Sequence, residues 1–208
     1  MIVQDIMQRT VVTVSPGAPL DEVATVLQRR GVRHVPVLDG QALAGIISDR
    51  DLKGSMASTA VGGTDTRSDR LTAGDIMTRK VITIGPMFPV EEAARIMASR
   101  RISALPVTEA DRLVGLVTET DIVLLFVRAM GVLEPSTRLD VVLPDERRAL
   151  SRIVQILEEH GAPVSSIVTL KATEGWTEAV IRVATINPGA AVHALEAGRF
   201  SVRDNWRG

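Results

Sequence analysis

The chain has no cysteine and no tyrosine, and only two tryptophans and three phenylalanines. Without cysteine there is no disulfide and no thiolate chemistry, a composition that fits a reducing compartment. So few aromatics leave none of the stacking platforms that single-stranded nucleic acid uses. The formal net charge is -1, so no broad field draws the chain to nucleic acid or to an anionic membrane. The longest apolar run, residues 122–127, is too short to span a bilayer. The opening Met1-Ile2-Val3-Gln4-Asp5 shows no basic region followed by an apolar stretch, so no secretory signal is expected and a cytoplasmic location is. His160 and His193 stand alone, no pair of residues has metal-ligand spacing, and no Ser-His-Asp or paired-carboxylate arrangement emerges. These absences point away from an enzyme, and no required cofactor is expected.

What the chain does have is a repeat. Asp5-Ile6-Met7 returns seventy residues later as Asp75-Ile76-Met77, Pro36-Val37 as Pro106-Val107, Gly45 as Gly115 and Asp51 as Asp121. A period of this kind decides the architecture before any single residue does. In the first copy, residues 11–14 are β-branched and read as a short strand. Pro19 opens a helix carrying Leu20, Val23, Ala24 and Leu27 at helical spacing, and Gly31 supplies its left-handed stop. Strands follow over 34–38 and 43–47 around the Asp39-Gly40 turn, and a second helix opens at Ser48. The unit is β-α-β-β-α. The second copy repeats it, with strands over 81–84, 105–108 and 113–117 and a helix over 90–97. Its last helix, from about Glu119, is expected to be the longer one, stopping near Gly131 and Pro135. Residues 54–74 read as a flexible connection.

From Arg138 the pattern changes. Strands are expected over 139–143, 164–173, 178–186 and 201–205, with a turn at Glu174-Gly175. One helix carries Leu150, Ile153, Val154 and Leu157 and ends at Gly161. Another is capped by Asn187 before Pro188, buries Ala191, Val192 and Leu195, and closes at Gly198. The order β-α-β-β-α-β is the ferredoxin-like arrangement. The domains are thus 1–53, a linker over 54–74, 75–134 and 138–208, in an α/β (α+β) chain.

The strongest constellation is Gly45-Ile46-Ile47-Ser48-Asp49-Arg50-Asp51, returning as Gly115-Leu116-Val117-Thr118-Glu119-Thr120-Asp121. Met once, it is explained by a capping box, with Ser48 or Thr118 at the cap and the aspartate three residues on. Met twice, after matched strands, it suggests a ligand: a helix N-terminus attracts phosphate, and an aspartate one turn in can accept both hydrogen bonds of a ribose diol. Capping and binding are compatible. Arg29, Arg30, Arg33, Arg100 and Arg101 fit a solvated helix end with cations at its C-terminus. Arg33 and Arg50 are the better candidates for a phosphate. His34 fits either a contact to a base or an ordinary partly buried histidine.

On these motifs residues 1 to about 130 resemble a tandem of CBS domains, a Bateman module. The resemblance implies that an adenosine compound, such as AMP, ADP, ATP or S-adenosylmethionine, binds as a regulatory ligand in clefts between the repeats. It implies Asp51 and Asp121 as the ribose carboxylates, with Ser48 and Thr118 beside the phosphates. The base would lie against Arg33, His34, Val35 and Pro36 and against Ser103, Ala104, Leu105 and Pro106. Thr13, Ser15 and Thr83 would close the clefts, and Gly85 in place of Ser15 would make them unequal. Residues 138–208 resemble an ACT domain, which implies pairing across subunits; the turn Leu143-Pro144-Asp145-Glu146-Arg147 lacks the glycine of ACT ligand sites. The order of the three segments resembles the acetoin utilization proteins, which implies a regulatory role in acetoin catabolism. A homodimer through the CBS or ACT segments and an unidentified protein partner are expected, with a constitutive dimerisation scaffold as the alternative function.

Overall fold

The computed structural model describes residues 1–60, 71–171 and 176–203. Two compact units emerge, Met1–Val123 and Leu124–Gly208.

In the first unit, helix α1 (Leu20–Arg30) precedes strands β1 (His34–Asp39) and β2 (Ala42–Ser48) and helix α2 (Asp49–Ala60). The short helix α3 (Ala73–Ile76) and helix α4 (Val90–Arg100) lead to β3 (Ala104–Glu109), β4 (Arg112–Thr118) and the first residues of helix α5 (Glu119–Ala129), whose remainder is assigned to the second unit. The sheet order is β1-β2-β4-β3, antiparallel throughout, and Ala42 pairs with Arg112 where the two repeats meet. Gly31 takes φ 62 after α1 and stops it as expected, while its counterpart Arg101 accepts φ 55 after α4.

Three expectations need correction here. Residues 11–14 and 81–84 do not become strands; each shrinks to one parallel bridge, Val14 with Val37 and Ile84 with Val107. Val14 donates to the Pro36 carbonyl and accepts from Leu38, and Ile84 repeats this with Pro106 and Thr108. The next rung would need an N–H from Pro36 or Pro106, and proline has none. The connection also starts later than residue 54, because α2 runs to Ala60 and α3 begins at Ala73, with residues 61–70 outside the described residues. Finally, α5 is not the longer of the paired helices: it spans 11 residues and α2 spans 12.

The two repeats exchange their leading segments. Val3 and Gln4 donate to the carbonyls of Phe88 and Pro86, and Ala73 and Gly74 donate to those of Ala18 and Pro16. Gln8 and Leu116 bond reciprocally through their backbones, and Thr78 does the same with Ile46. Each Asp-Ile-Met segment therefore serves the opposite repeat, and Ala73 and Met77 belong to the core built on Val23, Val35 and Ile47. This explains the repeated glycines. A Cβ on Gly45 would lie 2.6 Å from Met77 Sδ, and one on Gly115 would lie 2.5 Å from Met7 Sδ and 3.2 Å from the Gln8 carbonyl oxygen. Gly115→Val should destabilise the unit by about 1–3 kcal/mol. A chemical-denaturation comparison with Gly115→Val/Met7→Ala checks this: the second change should return part of the loss, and no return would mean the clash lies elsewhere.

The second unit contains β5 (Thr137–Leu143), α6 (Ala149–Glu159), β6 (Val164–Lys171), β7 (Thr177–Val183), α7 (Gly189–Ala197) and β8 (Ser201–Arg203). Its antiparallel sheet has the order β6-β7-β5-β8. Leu139, Ile181, Ile153, Leu157 and Leu195 are fully buried between sheet and helices. Asn187 is not the cap of α7; Pro188 holds that position and no side chain caps the helix. Gly198 keeps φ -76, and Arg199 makes the left-handed turn with φ 67. The need for glycine at 198 is close approach, since a Cβ there would meet Ile156 Cδ1 at 3.1 Å. The turn expected at Glu174-Gly175 and the ends of the strands expected at 173 and 205 lie outside the described residues. Among the described residues no helix is long and apolar enough to cross a membrane.

Candidate functional site

Each repeat delivers a short polar turn where a buried strand meets a helix. Ile47 and Val117 are wholly buried at the ends of β2 and β4, which pins the next residue, Ser48 or Thr118, at the mouth of the turn. The Ser48 N–H and hydroxyl both donate to Asp51 Oδ2, at 2.9 and 2.7 Å, and the Asp51 N–H donates back to Ser48 Oγ at 3.3 Å. Thr118 and Asp121 repeat the set at 2.8, 2.7 and 3.4 Å. Both aspartates therefore cap their helices. The Asp49 and Glu119 N–H groups donate to the carbonyls of Arg33 and Ser103. These bonds use up most of the amides that a phosphate at the helix start would need, so an anion here must rely on guanidinium groups instead.

A cavity of about 340 Å³ opens beside Asp51. Its walls unite residues from both repeats: Arg33, His34, Ile46, Ser48, Arg50 and Asp51 from the first, and Thr78, Arg101, Ile102, Ser103, Ala104 and Glu119 from the second, with Asp49 completing the rim. The volume lies at the lower end of small-ligand sites. Three arginines and three carboxylates line it, so the cavity is charge-balanced. Arg33 donates from Nη2 to Thr120 Oγ1 at 3.1 Å, which steadies one guanidinium while leaving its other nitrogens available.

His34 Nε2 lies 2.8 Å from Ser103 Oγ, a link between the repeats across the cavity wall. Burial pushes the imidazole below the ordinary histidine value of 6.5, Arg33 pushes the same way, and the carboxylates of Asp49, Asp51 and Glu119 oppose them. The folded protein thus holds His34 neutral where the unfolded chain would take up a proton. Its share of stability is complete above pH about 6.5 and is lost as pH falls through the window below that value. Denaturant titrations at pH 7.5 and 5.5 should show this loss in the wild type and a smaller one in His34→Gln. Equal losses would remove His34 from the balance.

Of the residues expected at a ligand, seven line this cavity: Arg33, His34, Ser48, Arg50, Asp51, Ser103 and Ala104. The others do not. Val35 and Leu105 have fully buried side chains, and Pro36 and Pro106 are buried with carbonyls already bonded to Val14 and Ile84. Thr13 is half-buried, Ser15 and Thr83 are exposed, and none of the three reaches this cavity wall. Thr118 and Asp121 belong to the counterpart turn, where Asp121 is 9% exposed and accepts a further bond from Gln8 Nε2 at 3.2 Å. Arg29, Arg30 and Arg100 are exposed in the last turns of α1 and α4, as a solvated helix end would be.

Sequence reasoning did not assign Ile46, Asp49, Thr78, Arg101, Ile102 and Glu119 to the ligand. Ile46, Asp49 and Glu119 lie within the quoted motifs but were given no role there. Thr78 could have been found only by realising that each leading segment crosses to the other repeat. Among the described residues no group of three or more His, Cys, Asp and Glu could hold a metal ion. The second unit has its own cavity of about 850 Å³, bordered by Leu143, Pro144, Glu146, Arg148, Trp176 and Thr177.

Comparison with known proteins bears on the family and the fold. The CBS domain family model matches residues 3–58 and 73–128. Among curated proteins, the CBS domain-containing protein YhcV of Bacillus subtilis is 30% identical over 120 residues, covering 58% of this chain and 81% of its own. Homoserine O-acetyltransferase of Methanohalobium evestigatum is 37% identical over 122 residues, 58% of this chain. The chain spans only 23% of that enzyme's length. Among solved structures, the CBS domain pair of protein MJ0100, in complex with 5′-methylthioadenosine and S-adenosyl-L-methionine, superposes with a TM-score of 0.54 at 32% identity, over 61% of this chain and 95% of that one. A protein assigned to acetoin utilization (AcuB) from Vibrio cholerae gives 0.56 at 27% identity, over 64% of this chain and 95% of its own. CBSX2 in complex with AMP gives 0.53 at 25% identity, over 61% and 96%.

Proposed function

Because the chain belongs to the CBS-domain family, with two CBS repeats in tandem, we propose that it is a non-enzymatic regulatory sensor whose ligand is an adenosine compound bound between the repeats. AMP, ADP, ATP and S-adenosylmethionine are the ligands to consider. The observation that carries this reading is the cavity in which Asp51 stands with three arginines at hand. Asp51 Oδ2 is committed to Ser48, while no bond among the described residues occupies Oδ1, whose lone pairs suit a sugar diol. Ile46, Ile102 and Ala104 offer an aliphatic bed for a base, and the guanidinium groups suit an anionic tail. The complexes of MJ0100 and CBSX2 support this choice of chemistry. Stand-alone proteins such as YhcV support a regulatory role, and the enzyme relative is matched over a small share of its length.

A ligand shifts an equilibrium only through unequal affinity for two states, so binding must differ between conformations that a partner can read. The β-α-β-β-α-β order and the β6-β7-β5-β8 sheet support an ACT-type second domain over 138–208, after CBS repeats over 1–53 and 75–134. The likeness to the Vibrio cholerae protein supports a role in acetoin utilization, and we place the chain in the cytoplasm as part of the same reading. A second reading, a constitutive dimerisation scaffold, is favoured by one observation: Val123, Leu124 and Phe126 on α5 are 58%, 47% and 57% exposed. Calorimetric titration with the four ligands, paired with light scattering, separates the two. Saturable binding with a change in mass or shape supports the sensor; a dimer indifferent to all four ligands supports the scaffold.

A further inference from the structure

The two capping aspartates are chemically alike but not equally available. Both use Oδ2 for the cap. Asp121 Oδ1 then accepts from Gln8 Nε2 at 3.2 Å, across 113 residues of chain, and the carboxylate is 9% exposed. The residue that stands in the same place over Asp51 is Thr78. The backbone of Gln8 pairs with Leu116 just as that of Thr78 pairs with Ile46, so the two side chains start from equivalent points. A glutamine reaches the carboxylate; the shorter threonine makes no bond to Asp51 among the described residues. Asp51 accordingly remains half-buried at the wall of an open cavity.

Electrostatics separate the two sides further. Moving each lining residue of the Asp51 cavity by the seventy-residue period turns Arg50 into Thr120 and Arg101 into Gly31, while all three carboxylates keep acidic counterparts. Among the positions so mapped, the Asp121 side has Arg33 as its one arginine against Asp49, Glu119 and Asp121. An anionic tail is unwelcome there.

We infer that Gln8 is a built-in lock: its amide occupies the carboxylate that a second adenosine ligand would use, so the protein binds one ligand per chain, at Asp51. This rests on the nucleotide-binding reading above. A ligand hydroxyl entering beside Asp121 would have to displace a bond to a charged group, a handicap of roughly ten- to a hundredfold in affinity. Replacing Gln8 by the residue found at its counterpart should therefore open the second site.

The test is calorimetric stoichiometry on the full chain with 5′-methylthioadenosine, whose tail carries no phosphate, and with AMP. Wild type should take up about one equivalent of either. Gln8→Thr should take up about two of 5′-methylthioadenosine, with AMP gaining less, and Gln8→Thr/Asp121→Asn should return to one. Thr78→Gln should weaken binding at Asp51 by tenfold or more. Two equivalents in the wild type, or one in a folded Gln8→Thr, would overturn the lock while leaving the sensor intact. If no variant, wild type included, binds either compound, the nucleotide reading itself falls and takes the lock with it.

Discussion

Asp51→Asn should weaken binding of an adenosine ligand about a hundredfold, whereas Asp121→Asn should change it less than about threefold. Hydrogen bonds to a charged acceptor contribute about 1.5–3 kcal/mol each, and a ribose diol makes two of them, so loss of the charge at Asp51 removes about 3 kcal/mol. The substituted asparagine still offers an oxygen to Ser48, so the helix cap is largely kept and the loss is one of binding. Asp121 has both oxygens engaged, by Thr118 and by Gln8, and its substitution is felt as stability. Isothermal titration at a temperature well below the melting transition checks both. Equal losses in the two variants would place the ligand on both turns, and no loss in Asp51→Asn would move it elsewhere.

Leu139→Ala should destabilise the second unit by about 2–5 kcal/mol, a large part of the margin an ordinary domain has. Leu139 is fully buried on β5, pairs with Ile181 on β7, and belongs to the cluster that includes Ile153, Leu157 and Leu195. Truncation removes its burial and leaves a hole that close-packed neighbours fill only in part. Every residue of the Asp51 cavity lies within Met1–Val123, as does the Val23–Val35–Ile47–Met77 core beneath it. Ligand affinity should therefore stay within about twofold. Scanning calorimetry should show a transition displaced by roughly 10 °C or more, and titration should show binding retained. Simultaneous loss of binding would mean that the second unit helps to form the site.

Much of this was legible because the chain says the same thing twice. The seventy-residue period gave the α-β-β-α part of each repeat, and the Ser/Thr-x-x-Asp spacing gave both capping boxes with their donors and acceptors. Hydrophobic spacing placed Leu20, Val23 and Leu27 on one buried face of α1 and Ile153 and Leu157 on that of α6. What stayed hidden was long-range exchange. Nothing local in Asp-Ile-Met says that Met77 packs on Gly45, or Met7 on Gly115, since the period only relates copies and does not say which copy each segment serves. The same blindness concealed Thr78 at the cavity and Gln8 on Asp121. The valines of residues 11–14 misled in another way. Their propensity was for strand, but a proline opposite withheld the donor needed for a ladder. At α7 the Asn-Pro pair suggested a cap one residue too early.

A crystal structure of the full chain grown with 5′-methylthioadenosine or AMP probes the heart of the matter. The ribose hydroxyls should lie within hydrogen-bond distance of Asp51 Oδ1, with the base among Ile46, Ile102 and Ala104 and with Gln8 still seated on Asp121. A ligand bound elsewhere, with the Asp51 cavity empty, would contradict the sensing role assigned to this turn.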